Sequence, residues 1–298
     1  IGRPALYHSP KAVPGRLDRG SVQDMGGQVL DLTQALLSAK TLPQRAPDSV
    51  FFDLFGLTTL YWPVWFGWAM LGLALVATLG AMRPFAGRAM AAGAGRLLGQ
   101  VLLSGGLFWG LNFLSKQPGA QNYYDRMAAI PRLEVIVALA SVTVVLLIWG
   151  HRKPARPELL GASLPLLLLA TAGQALAPTA AYIMVVPAML TAVALLANAR
   201  LPGRAAVWVV LLTGVPVAGY MIALGHQLMQ GVGPTMSFLA ALPLAIATMA
   251  LLPLTEGLPR RHTQIVAVLL VVLAVGVALW VRLDPIADTI AVYSDKPS

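Results

Sequence analysis

Few residues in this chain have the types and spacing that chemistry requires. Among 298 residues there are 12 acids, four histidines and no cysteine. Disulfides and thiolate metal sites are therefore excluded. No two acids are adjacent, and there is no H-E-x-x-H, no pair of aspartates within an apolar run and no Gly-x-Ser-Gly with a histidine partner in a span. A phosphate-cradling G-x-x-x-x-G-K-[ST] is also missing. Intramembrane proteolysis and phosphate-loop chemistry thus lack their residues. What remains is His8, in Leu6-Tyr7-His8-Ser9-Pro10. Its imidazole is a base suited to zinc, although a single histidine before Ser-Pro ordinarily reads as a surface residue.

The elements that would position such a residue follow from composition. The chain is 57% hydrophobic and 11% charged, with a mean hydropathy of +0.73. A soluble domain carries about 25% charged residues, so this chain cannot cover a globule with a water-facing surface. It reads as an all-α polytopic membrane protein in contact with the lipid bilayer. A transmembrane barrel would instead show alternating segments of about ten residues. Eight spans are expected, at Leu57–Met82, Leu97–Leu114, Leu133–Gly150, Leu159–Ala177, Ala180–Ala199, Ala205–Leu224, Met236–Leu254 and Gln264–Val281. Each is near the ~20 residues that cross a ~30 Å hydrocarbon core. The fourth and fifth, joined by a tight turn around Pro178, could instead form a re-entrant pair.

The net charge of +9 falls mostly between the spans, which the positive-inside rule explains without nucleic acid. The connections after odd-numbered spans hold Arg83, Arg88 and Arg96, then Arg152, Lys153 and Arg156, then Arg200 and Arg204, then Arg260 and Arg261. Those after even-numbered spans hold only Lys116, Arg126 and Arg132. The first set is expected to face the cytoplasm, with both terminal segments on the non-cytoplasmic side. Inside the spans lie Gln100, Asn112, Gln174 and Asn198, with His226 near an end. Asn112 and Gln174 read as interhelical hydrogen-bond partners, and Gly106 with Gly110 as a small-residue helix contact. Ser115–Pro131 reads as a solvated connector, and Tyr61, Trp62, Trp65 and Trp68 as an interfacial aromatic belt.

Before the first span, residues 20–38 predict a helix starting at Ser21, with Ser21 and Asp24 spaced as a capping box. Val22, Met25, Val29, Leu32 and Leu36 form one apolar stripe. The polar face has no Lys or Arg, whereas a membrane-surface helix prefers basic residues there. Packing on a soluble domain is the expectation. After the last span, Thr289–Tyr293 reads as a first strand. The ends, Ile1 and Ser298, read as those of a portion of a longer protein, arranged as a domain remnant (1–40), a linker (41–56), the membrane block (57–282) and the start of a further domain (283–298).

The stretch Tyr7-His8-Ser9, followed by Asp18, Gly20, Ser21, Gln23 and Gly26 in the pattern D-x-G-S-x-Q-x-x-G, resembles the closing segment of zinc aminopeptidases of the aminopeptidase-Y type. With Phe51-Phe52-Asp53-Leu54 ahead of a multi-span block, the layout is similar to the membrane-anchored branch, the endoplasmic-reticulum metallopeptidase and vacuolar membrane protease group. The resemblance implies that His8 is a zinc ligand of a two-ion site at the edge of an α/β peptidase domain, where paired metals activate a bridging water. It also implies that the other ligands, a His-x-Asp pair, a Glu-Glu pair and a further acid, lie upstream of Ile1. The implied function is trimming of peptides at the non-cytoplasmic face by a zinc-dependent exopeptidase. Ala12-Val13 stands where relatives often carry Asp-Thr. Two other readings fit the membrane block by itself: a transporter or channel, and a scaffold that anchors flanking domains.

Overall fold

The computed structural model describes residues 13–41, 44–54, 57–82, 86–117, 126, 129–232 and 234–283. Thr289–Tyr293 lies outside them. The described chain is an α-helical bundle preceded by an isolated helix and a hairpin. Helix α1 (Arg19–Ser38) comes first, then β1 (Ser49–Leu54) and β2 (Thr58–Pro63). The bundle follows as α2 (Phe66–Ala81), α3 (Gly87–Leu114), α4 (Ile130–Trp149), α5 (Arg156–Leu176), α6 (Tyr182–Arg200), α7 (Gly203–Gly231), α8 (Ala241–Leu251) and α9 (Arg260–Leu283). Helix α8 is flanked by 3-10 turns at Pro234–Ala240 and Leu252–Leu254, which complete one span over Thr235–Leu254.

Among the described residues, seven helical segments are long and apolar enough to cross a membrane, and α2 is a shorter apolar helix of 16 residues. The fourth and fifth expected spans are separate helices of 21 and 19 residues, not a re-entrant pair. The first expected span is corrected at its start. Thr58–Pro63 is a strand paired antiparallel with Ser49–Leu54, Phe51 opposite Tyr61 and Phe52 opposite Leu60. A run of β-branched and aromatic residues, Thr58-Thr59-Leu60-Tyr61-Trp62, suits a strand as well as it suits an apolar window. The helix begins only at Phe66, so Tyr61 and Trp62 of the expected aromatic belt lie on β2.

The spans pack with α3 near the centre, against α4, α5, α8 and α9, while α2 lies along α6 and α9 along α4. Lipid is as apolar as leucine, so helices in a bilayer associate through close packing and hydrogen bonds. Small residues supply that closeness here: Ala140, Ala162, Ala170, Ala274 and Ala278 are wholly buried. The tightest crossing is between α3 and α5. A Cβ on Gly93 would come within 1.9 Å of the Glu158 carbonyl oxygen, and one on Gly161 within 1.8 Å of the Met90 oxygen. The expected pair Gly106 and Gly110 has nothing outside its own helix within 4 Å. That expectation is corrected: the spacing is right for a contact, but the residues face away from other helices. Leu102, Leu168, Leu212 and Val272 point outward, as a lipid-facing surface requires.

The two ends of the bundle differ. At one end, the connections after α4 and α8 are stitched together: Leu258 N–H donates to the Gly150 carbonyl at 2.8 Å, and Lys153 pairs with Glu256. Arg200 donates through Nε and Nη2 to the Gly80 carbonyl at 3.2 and 2.7 Å, satisfying an orphan acceptor near the end of α2. At the other end the hairpin sits on the bundle. Val50 is buried, and Phe52 packs against Tyr182 and Tyr220 with ring centroids 5.7 Å away in each case.

Candidate functional site

Helix α1 carries the motif that resembles a peptidase. The helix starts at Arg19, not Ser21, and its cap is Asp18 rather than a Ser21–Asp24 box. Asp18 Oδ1 accepts from the Ser21 N–H at 2.8 Å, which places a carboxylate on one of the free donors of the first turn, where the helix dipole also favours it. The Asp and Ser of the D-x-G-S segment are therefore a cap and its donor. Gly20 lies within the same turn, and a Cβ there would meet Asp18 Oδ1 at 3.1 Å. None of the residues of α1 is buried. Its stripe is open: Val22, Met25, Val29 and Leu32 are 52–70% exposed.

His8 lies outside the described residues. Among the described residues no group of three or more His, Cys, Asp or Glu could hold a metal ion.

The polar residues of the bundle form separate knots. Gln100 on α3 accepts from Trp149 Nε1–H on α4 at 2.8 Å, both buried. Gln174 on α5 donates to the Val64 carbonyl at 2.9 Å, tying α5 to the junction of hairpin and α2. Gly67 makes room for it, since a Cβ there would come within 2.1 Å of Gln174 Oε1. Asn112 accepts from Arg126, which also donates to Ser115 Oγ at 3.0 Å and to the Ser115 carbonyl at 3.2 Å. Arg126 is thus buried, not solvated as a connector residue would be; its own hydrogen bonds draw it onto the end of α3. Burial lowers its pKa to about 10, so it stays charged near neutrality. On the same end, Glu134 and His226 Nδ1 are 2.6 Å apart, linking α4 to α7.

Glu158 forms the corresponding knot at the basic end. It is buried, reaches back to the Ala155 N–H at 3.0 Å, pairs with Arg152, and lies 3.2 Å from Arg96 of α3. Arg96 in turn stands over the Trp149 ring at 5.6 Å. Pro157 and Glu158 in the first turn of α5 are a legible helix start. The burial of Glu158 is not legible, because it depends on α3 lying against Gly161.

Two cavities open at opposite ends. One, of about 560 Å³, lies beneath β1 between α6 and α7, lined by Phe52, Tyr182, Pro187, Pro216 and Tyr220, with Asp53 and Gln227 also on its wall. Pro187 and Pro216 each lie within their helix. The other, of about 870 Å³, is at the basic end between the α4–α5 connection, α6, α7 and the turn after α8.

These elements define an integral, multi-pass α-helical membrane protein. No family model matches the sequence, no curated protein matches it, and no solved structure matches the fold.

Proposed function

We propose that this chain is the membrane-embedded portion of a zinc-dependent exopeptidase of the aminopeptidase-Y type, acting on peptides at the non-cytoplasmic face. On this reading His8 is a metal ligand, and α1 closes the peptidase domain. The observation that carries it is α1 itself. Its cap lies within the D-x-G-S segment, and its apolar stripe is exposed. An apolar helix face in water is unfavourable at about 25 cal/mol per Å², so the stripe calls for a partner domain. The remaining ligands would lie upstream of Ile1.

The test is made on the intact protein. The gene should encode His-x-Asp and Glu-Glu pairs ahead of Tyr7, and His8→Ala should lower both bound zinc and aminopeptidase activity. Full zinc content and activity in that variant would overturn the reading. The transporter reading would require the intramembrane polar residues to converge on one path. Instead Asn112 is engaged by Arg126 and Gln174 by Val64, while Asn198 borders the basic cavity.

A further inference from the structure

The cavity at the basic end is bordered by Lys153, Arg156 and Arg204, with Glu256 as its acid. Lys153 is paired with Glu256. Arg156 and Arg204 have no carboxylate partner among the described residues, and both are exposed. The cavity therefore carries an excess of positive charge within a pocket between helices.

A second feature points the same way. Helix α7 begins at this cavity, and its N-cap is Pro202, which offers no side-chain acceptor. The first N–H groups to find a backbone acceptor are those of Ala205 and Ala206, both on Pro202 O. The amides of Gly203 and Arg204 are left at the positive end of the helix, an arrangement suited to a phosphate. Helix α5, which starts at the same cavity, is different. Its N-terminus is closed by its own Glu158 carboxylate on the Ala155 N–H. Of the two helices that start at this cavity, α7 is the one with no carboxylate on its N-terminus.

The outer surface of α7 supplies the rest. Trp208 borders the cavity, and Trp208, Leu212 and Val215 are more than half exposed along one side of the helix leading away from it. A ligand with a phosphate at the cations and an apolar tail along this side would satisfy both halves. We propose that the cavity binds the headgroup of an anionic phospholipid, with its phosphate at Arg156, Arg204 and the first amides of α7, and an acyl chain along Trp208 and Leu212. Basic pockets between helices at a membrane surface bind such headgroups by this chemistry.

The experiment uses the full chain in nanodiscs containing brominated phosphatidylglycerol or brominated phosphatidylcholine. The share of tryptophan quenching that belongs to Trp208 is taken as the difference from Trp208→Phe. That share should be larger with the glycerol lipid at equal mole fraction. Arg156→Gln combined with Arg204→Gln should lower the preference roughly thirtyfold, at ~1 kcal/mol for each cation. Glu256→Gln removes the repelling acid and releases Lys153, so it should strengthen the preference. A misfolded protein would not gain affinity in this way. Equal quenching by the two lipids, an unchanged preference in the double variant, or displacement of the lipid by millimolar inorganic phosphate would each overturn the proposal.

Discussion

Gly161 of α5 lies against Met90 of α3 so closely that a Cβ would come within 1.8 Å of the Met90 carbonyl oxygen. Gly93 returns the contact at Glu158. Because the obstacle is backbone on both sides, no rotamer change can relieve it. Gly161→Ala or Gly93→Ala should force the helices apart at a cost of about 3 kcal/mol, read as a fall in thermal unfolding temperature in detergent. Gly106→Ala and Gly110→Ala should be nearly silent. Equal behaviour of all four would mean that the crossing is not where the bundle is tight.

Trp149 and Gln100 form one buried hydrogen bond between α3 and α4. Trp149→Phe should cost about 1 kcal/mol. Adding Gln100→Leu should then cost little more, because the unpaired amide is removed. A double-mutant cycle checks this, and strictly additive losses would show that the two side chains act independently.

Arg126 spends three donations on Asn112 and Ser115. Its lowered pKa, about 10 against an ordinary 12.5, means that burying the charge opposes folding. That cost is fully present below about pH 10 and fades as pH rises above it, because the unfolded chain then holds the extra proton. Removing the side chain would nevertheless leave Asn112 Oδ1 and Ser115 Oγ without the donor they now have. Arg126→Met should destabilise by about 2 kcal/mol, and Arg126→Lys should rescue little, since one ammonium cannot reproduce the guanidinium fork. Full rescue by lysine, seen in thermal unfolding, would contradict this.

Asp18→Ala should fray the start of α1 by about 1 kcal/mol, while Asp18→Ser should retain most of the cap. Amide hydrogen exchange at Ser21 and the residues after it reads this directly. No change in protection in the alanine variant would remove the cap from the account of the motif.

By contrast, Glu134 and His226 are close but partly exposed. Glu134→Gln should change stability by less than about 1 kcal/mol. A larger loss would indicate that this end of α4 is more enclosed than its exposure suggests.

The sequence made the bundle legible because lipid imposes one demand on every span: length and apolar composition. Where other demands compete, legibility fails. The strand at Thr58–Pro63 satisfied the same apolar window as a helix. Gly106 and Gly110 had contact spacing, yet which face of α3 meets α5 is decided by tertiary packing at Gly93 and Gly161. Arg126 sat in a connection with few bases, and its place under Asn112 depends on a return of the chain that no local pattern encodes. Asp18 was visible as part of a motif; its role as the cap emerged only once the helix started two residues earlier than expected. His8, a metal ligand only by resemblance, lies outside the described residues.

Helix α2 has 16 residues, a rise of about 24 Å at 1.5 Å per residue. A hydrocarbon core is about 30 Å thick. The helix is held short at both ends, by the hairpin that precedes Phe66 and by Arg200 on the Gly80 carbonyl. An open-edged two-stranded hairpin cannot sink into hydrocarbon to make up the difference. An apolar segment shorter than the core is met by thinning of the bilayer, by snorkelling of flanking residues or by oligomerisation, so bilayer thickness bears on α2 more directly than on the seven longer helical segments.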